Sequence, residues 1–172
     1  MPDSPKILVR NARDQDLPAV AKIDAEAFTP YGTAEKPETF QLRLNAFPQF
    51  KVKLHDIDLH YLHVPGKGPA PKPLLLLHGW PGSLFEFIDL IPRLTDPARF
   101  GGDARDAVTV IAPSLPGYGL SFRPGQKRIG VAAIADCFAD LMTNVLGHRT
   151  FFAQGGDWGA HISSAMAVRH PD

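Results

Sequence analysis

Two short stretches carry residue types spaced for chemistry. The first is "GGDWG", Gly155 to Gly159. Glycines two positions before and two positions after Asp157 let a strand turn at once into a helix without a backbone clash. The central side chain is then held out at the tip. This is the G-x-S-x-G spacing of a nucleophile elbow, with a carboxylate where the hydroxyl would be. An aspartate has an ordinary pKa of about 3.9 and is ionised at neutral pH, so it needs no base before it attacks. The N-terminus of the following helix favours its negative charge. A carboxylate is a poor nucleophile toward an amide carbonyl. It suits displacement at an electrophilic saturated carbon, which leaves an alkyl ester on the protein.

Water must then attack the carbonyl carbon of that ester, and negative charge builds on an oxygen of Asp157. Preorganised N–H donors are needed there. The backbone N–H of Trp158 is one candidate. The second stretch, "HGWPGS" from His78 to Ser83, offers the backbone N–H of Trp80. Gly79 permits close approach and Pro81 restricts the local backbone. The candidate catalytic residues are therefore Asp157, Trp80 and Trp158, and the two indole rings can also wall an apolar pocket.

These stretches need elements to position them. "PKPLLLLHG", "AVTVIAP" and "TFFAQ" are short continuous apolar runs, as in strands buried on both faces of a parallel sheet. "SLFEFIDLIPRL" reads as a helix with Ser83 as N-cap and Glu86 completing a capping box. "VAAIADCFADLMTNVLG" has apolar residues at three- and four-residue steps and Gly147 as its stop. "AHISSAMAVRH" is a further helix. Ahead of these, "FKVKLHDIDLHYLHV" alternates as an antiparallel hairpin with one solvated face, turning near Asp56. A hairpin followed by alternating strands and helices predicts an α/β fold, in which ligands bind beyond the carboxyl ends of the strands. Both candidate stretches sit at such ends.

The 172 residues carry 18 basic and 18 acidic side chains, and no basic stripe points to nucleic acid. No apolar run is long enough to span a bilayer, and no secretory signal is evident, so a cytoplasmic location is expected. His55, His60 and His63 lie close in sequence, but strand geometry does not converge them with a third ligand, so neither metal nor cofactor is expected. Cys137, the only cysteine, falls on a helical pattern and reads as packing.

Residues from about 45 to 172 resemble the α/β-hydrolase-fold epoxide hydrolases, in particular the microsomal and juvenile-hormone branch. The resemblance is carried by "LNAFPQFKVKLHDIDLHYLHV", "LLLLHGWPGSLFEFIDLIPRLTDP", "VIAPSLPGYGLS" and "FFAQGGDWGAHISSAMAVRHPD". It implies that Asp157 opens an epoxide and that Trp80 and Trp158 supply the oxyanion donors. It implies an apolar epoxide and water as reactants. Haloalkane dehalogenases share the aspartate elbow and form an alternative, although "HGWPGS" and "PSLPGYGLS" are closer to the epoxide branch.

The same family pattern places a histidine base, its acid partner and epoxide-protonating tyrosines after the nucleophile. His161 and His170 lie on the helix leaving the elbow and do not suit the base. Tyr118 in "PGYG" reads as structural. The expectation is the N-terminal half of a hydrolase, residues 46–172, or an inactive truncated protein or binding module. An exposed sheet edge at the strand around 150–154 is expected to favour self-association. Residues 1–45 form a separate segment of uncertain origin, and "ILVRNARDQDLPAVAKIDAEAF" weakly resembles the first strand and helix of GNAT acetyltransferases.

Overall fold

The computed structural model describes residues 45–171. The expected strand and helix between residues 6 and 28, with the GNAT-like reading, lie outside them.

Five strands form one sheet: β1 (Gln49–Leu54), β2 (Ile57–Val64), β3 (Lys72–Leu77), β4 (Val108–Pro113) and β5 (Phe152–Gly155). Their order across the sheet is β1-β2-β4-β3-β5. β1 and β2 pair antiparallel, with Leu54 opposite Ile57. The tight turn between them puts His55 and Asp56 at positive φ (49° and 64°), a conformation that aspartate tolerates better than most residues. β2 also pairs antiparallel with β4, while β3 lies parallel to both β4 and β5.

β2 departs from the expected hairpin with one solvated face. Because β4 occupies its second edge, β2 is an interior strand, and residues 59–62 are all buried. Ile57, Leu59 and Tyr61 join one core, and Leu62 joins the core on the other face. The first core also contains Leu75, Leu77 and Ile111 from the sheet and Phe138, Leu141 and Ile162 from two helices. The second packs Leu76, Val110 and Ala112 against Leu84, Phe87 and Ile91. Helices thus cover both faces, as a parallel sheet requires.

The expected helix over residues 83–94 is divided. A 3₁₀ turn spans Leu84–Phe87, and helix α1 begins anew at Ile91–Thr95. Pro92 has no N–H to donate, so it belongs in a first turn rather than the interior of a longer helix. The hydroxyl of Ser83 accepts from the Phe85 N–H at 3.3 Å, so the cap is present. The capping box is not formed as expected, because Glu86 turns toward the loop after β3. Helix α2 (Val131–Asp140) continues as a π turn, Leu141–Val145, and stops at Gly147 with φ 75°. Cys137 is fully buried there, which pushes its thiol up to about 11 and leaves it an inert packing residue.

Helix α3 (Trp158–Arg169) follows β5 directly. Arg169 grips Asp136 of α2 with two N–H groups, at 2.8 and 2.7 Å. β5 differs from the buried strand its composition suggests. Among the described residues it pairs only with β3, and Phe152, Ala153 and Gln154 are exposed. No helix among the described residues is long and apolar enough to cross a membrane.

Candidate active site

The site forms where β3 and β5 end side by side. Their parallel register places Leu77 beside Gly155, so "HGWP" and "GDWG" leave the sheet as neighbouring turns. Asp157 connects β5 to α3 with φ 51° and ψ −122°. A non-glycine residue at this φ is strained, and such strain concentrates at functional sites. The flanking glycines are sterically required. A Cβ on Gly155 would lie 2.4 Å from the Gly159 carbonyl carbon, and one on Gly159 would lie 2.2 Å from the Leu77 carbonyl oxygen. Helix, elbow and central strand meet backbone to backbone.

The carboxylate is exposed and faces donors. The Trp80 N–H donates to Asp157 Oδ1 at 2.8 Å. Trp80 precedes a cis peptide bond to Pro81. Gly79 lies so close to the aspartate that a Cβ there would sit 2.5 Å from Asp157 Cβ. The Asp157 pKa is lowered chiefly by the Trp80 N–H, then by the Trp158 N–H, with a smaller contribution from His161. Both N–H groups expected from the sequence therefore face this carboxylate. The indoles of Trp80 and Trp158 are both exposed, at 67% and 45%. Trp158 adjoins Asp157 in sequence, and the loop after β3 brings the backbone of Trp80 to it.

His161 stacks edge-on against the Trp158 ring, and its backbone N–H donates to the Asp157 carbonyl at 3.4 Å. His170 pairs with Asp136 at 2.9 Å, at the far end of α3. Tyr118 packs edge-on against His78, with ring centroids 5.7 Å apart. Of the hairpin histidines, His55 lies in the turn and His60 and His63 lie on β2. His55 pairs with Asp140, His60 is buried near Gln49 and Ser114, and His63 meets Phe50 and His148. Among the described residues no three metal-ligating side chains converge.

Two residues near the site had no part in it assigned from sequence. Glu86 brings a carboxylate oxygen against Gly82, 3.0 Å from where a Cβ would be. Burial raises its pKa, the Gly79 N–H opposes that, and the Asp157 charge adds to it. His78 is buried and hydrogen-bonds on both ring nitrogens. A polar residue closing the all-apolar run "LLLL" is the signal that could have exposed it.

Comparison with known proteins agrees with this geometry. Residues 38–87 match the model of the epoxide hydrolase N terminus, and residues 72–172 match that of the alpha/beta hydrolase fold. Epoxide hydrolase 1 of Oryctolagus cuniculus is 45% identical over 134 residues, covering 74% of this chain and 29% of that protein. The juvenile hormone epoxide hydrolase of Bombyx mori is 44% identical over 131 residues, covering 74% and 28% respectively. The crystal structure of juvenile hormone epoxide hydrolase from the silkworm superposes with a TM-score of 0.70 at 36% identity, over 94% of this chain and 36% of that one. The chain thus spans under a third of the length of these two curated relatives. With its mixed sheet, strained elbow and matching sequence, the chain belongs to the alpha/beta hydrolase fold family, and these homologues are epoxide hydrolases.

Proposed function

We propose that this chain carries the nucleophilic half of an epoxide hydrolase site. One oxygen of Asp157 attacks a ring carbon of the epoxide. The C–O bond breaks, the ring oxygen becomes an alkoxide that takes a proton from water, and a hydroxyalkyl ester of Asp157 remains. Water then adds to the ester carbonyl, with charge developing on the oxygen that the Trp80 and Trp158 N–H groups face, and a diol departs. The observation that carries this reading is the 2.8 Å hydrogen bond from Trp80 N–H to Asp157 Oδ1. It supports a donor role for Trp80, beside a carboxylate whose pKa is lowered by that N–H. The exposed indoles suit a small apolar epoxide. The experiment compares an aryl epoxide with a matched chloroalkane. An ester formed from the epoxide alone supports the reading; one formed only from the chloroalkane assigns dehalogenase chemistry instead.

Residues 46–172 are read as the hydrolase core and 1–45 as a distinct segment. A cytoplasmic setting is the reading that the single buried cysteine supports. The edge of β5 that has no neighbour among the described residues, with Phe152 53% exposed, also supports pairing with a second copy. Concentration-dependent mass in sedimentation, reduced by a charged residue at Phe152, is the expected result; a monomer at all concentrations would contradict it.

A further inference from the structure

The peptide unit joining Gly79 to Trp80 is held from both ends. Its N–H donates to Asp157 Oδ1 at 2.8 Å. Its C=O lies 3.0 Å from Nδ1 of His78. Across the same imidazole, Nε2 lies 3.0 Å from the backbone N–H of Leu115. A backbone N–H only donates, so Nε2 is the acceptor and Nδ1 carries the proton. The two contacts together select one tautomer of one ring.

The peptide is planar and trans, so its C=O and N–H point in opposite directions. Fixing the carbonyl therefore fixes the N–H. Donation to the carbonyl also polarises the unit and strengthens the hydrogen bond made by its N–H. We propose that His78 is a positioning residue for the oxyanion donor: its Nδ1–H sets the direction and the polarity of the Trp80 N–H that faces Asp157.

The surroundings fit this role. His78 is 1% exposed, and Tyr118 packs edge-on against it. Burial lowers its pKa, opposed in part by the Gly79 carbonyl, and so keeps the ring neutral. Neutrality is needed for Nε2 to accept from Leu115. Leu115 follows β4, whereas Gly79 follows β3. The imidazole thus ties the oxyanion loop to the neighbouring strand-end loop, where a residue that merely filled space would need neither contact.

The inference rests on Asp157 being the nucleophile, but its test uses no epoxide. In the intact chain, nitrogen-15 NMR should show a proton on Nδ1 of His78 and none on Nε2. The Trp80 amide resonance should move as Asp157 titrates. His78→Asn keeps a donor where Nδ1 was, and His78→Gln keeps a polar group where Nε2 was. The Trp80 response should persist in His78→Asn and be lost in His78→Gln. A proton on Nε2 in the wild type would overturn the proposal. So would the same Trp80 response, kept or lost, in both variants. Should neither variant fold, the wild-type tautomer and the Trp80 titration decide it. A chain that passes these tests yet never forms an ester would count against the proposed function and leave the role of His78 standing.

Discussion

The backbone N–H of Trp80 and the carboxylate of Asp157 meet at 2.8 Å across 77 positions of sequence. Neither residue's side chain brings this about. The parallel pairing of β3 with β5 does, because Leu77 and Gly155 leave the sheet together. Gly79 then lets the loop approach, since a Cβ there would meet Asp157 Cβ at 2.5 Å. Gly79→Ala should push the loop away. The Asp157 pKa should rise toward the ordinary carboxylate value, and any ester hydrolysis supported by this site should slow by about 100-fold, as when one oxyanion donor is removed. Carbon-13 titration of the Asp157 carboxyl checks the first. An unchanged titration would show that the contact does not depend on Gly79.

The elbow makes a sharper demand on Gly159, whose Cβ would lie 2.2 Å from a backbone oxygen of β3. Gly159→Ala should cost about 3 kcal/mol, the upper end for overpacking. Gly156, also at the elbow, has nothing within 4 Å of an added Cβ. Gly156→Ala should stay within about 0.5 kcal/mol of wild type. Equal urea midpoints for the two variants would contradict this account of the turn.

Stability should fall on mild acidification. Burial, with Lys51 adding, lowers the His60 pKa from 6.5 to about 4, and burial also lowers those of His63 and His78. Below pH 6.5 the unfolded chain binds protons that the folded chain refuses. The stabilisation is therefore complete above about pH 6.5 and is lost as pH falls toward 4. For His60 alone the loss is at most about 3 kcal/mol. Urea midpoints from pH 7.5 to 4.5 should decline, and less steeply in His60→Gln. A flat profile would contradict neutral buried imidazoles.

Much of the site was legible in sequence because close backbone approach needs glycine. Gly79, Gly155 and Gly159 mark that approach, and each would clash if given a Cβ. The elbow, both tryptophan N–H donors and the parallel strands follow from local pattern. Interior placement of β2 was not legible, because alternation cannot reveal that β4 occupies its second edge. The division of the helix at Pro92 was written in the sequence, but the competing apolar period obscured it. Glu86 fits a capping box locally, yet it faces a loop that only tertiary structure brings near. His78 acts through backbone atoms of Gly79 and Leu115, and no side-chain pattern reports such contacts.

The central claim is that Asp157 attacks the epoxide carbon. Incubating the 172-residue chain with an aryl epoxide, then digesting it and mapping peptides by mass spectrometry, tests this most directly. One epoxide mass should appear as a hydroxylamine-labile ester on Asp157, and Asp157→Asn should show none. An adduct on another residue, equal labelling of Asp157→Asn, or a wild type that neither carries label nor releases diol would contradict the claim.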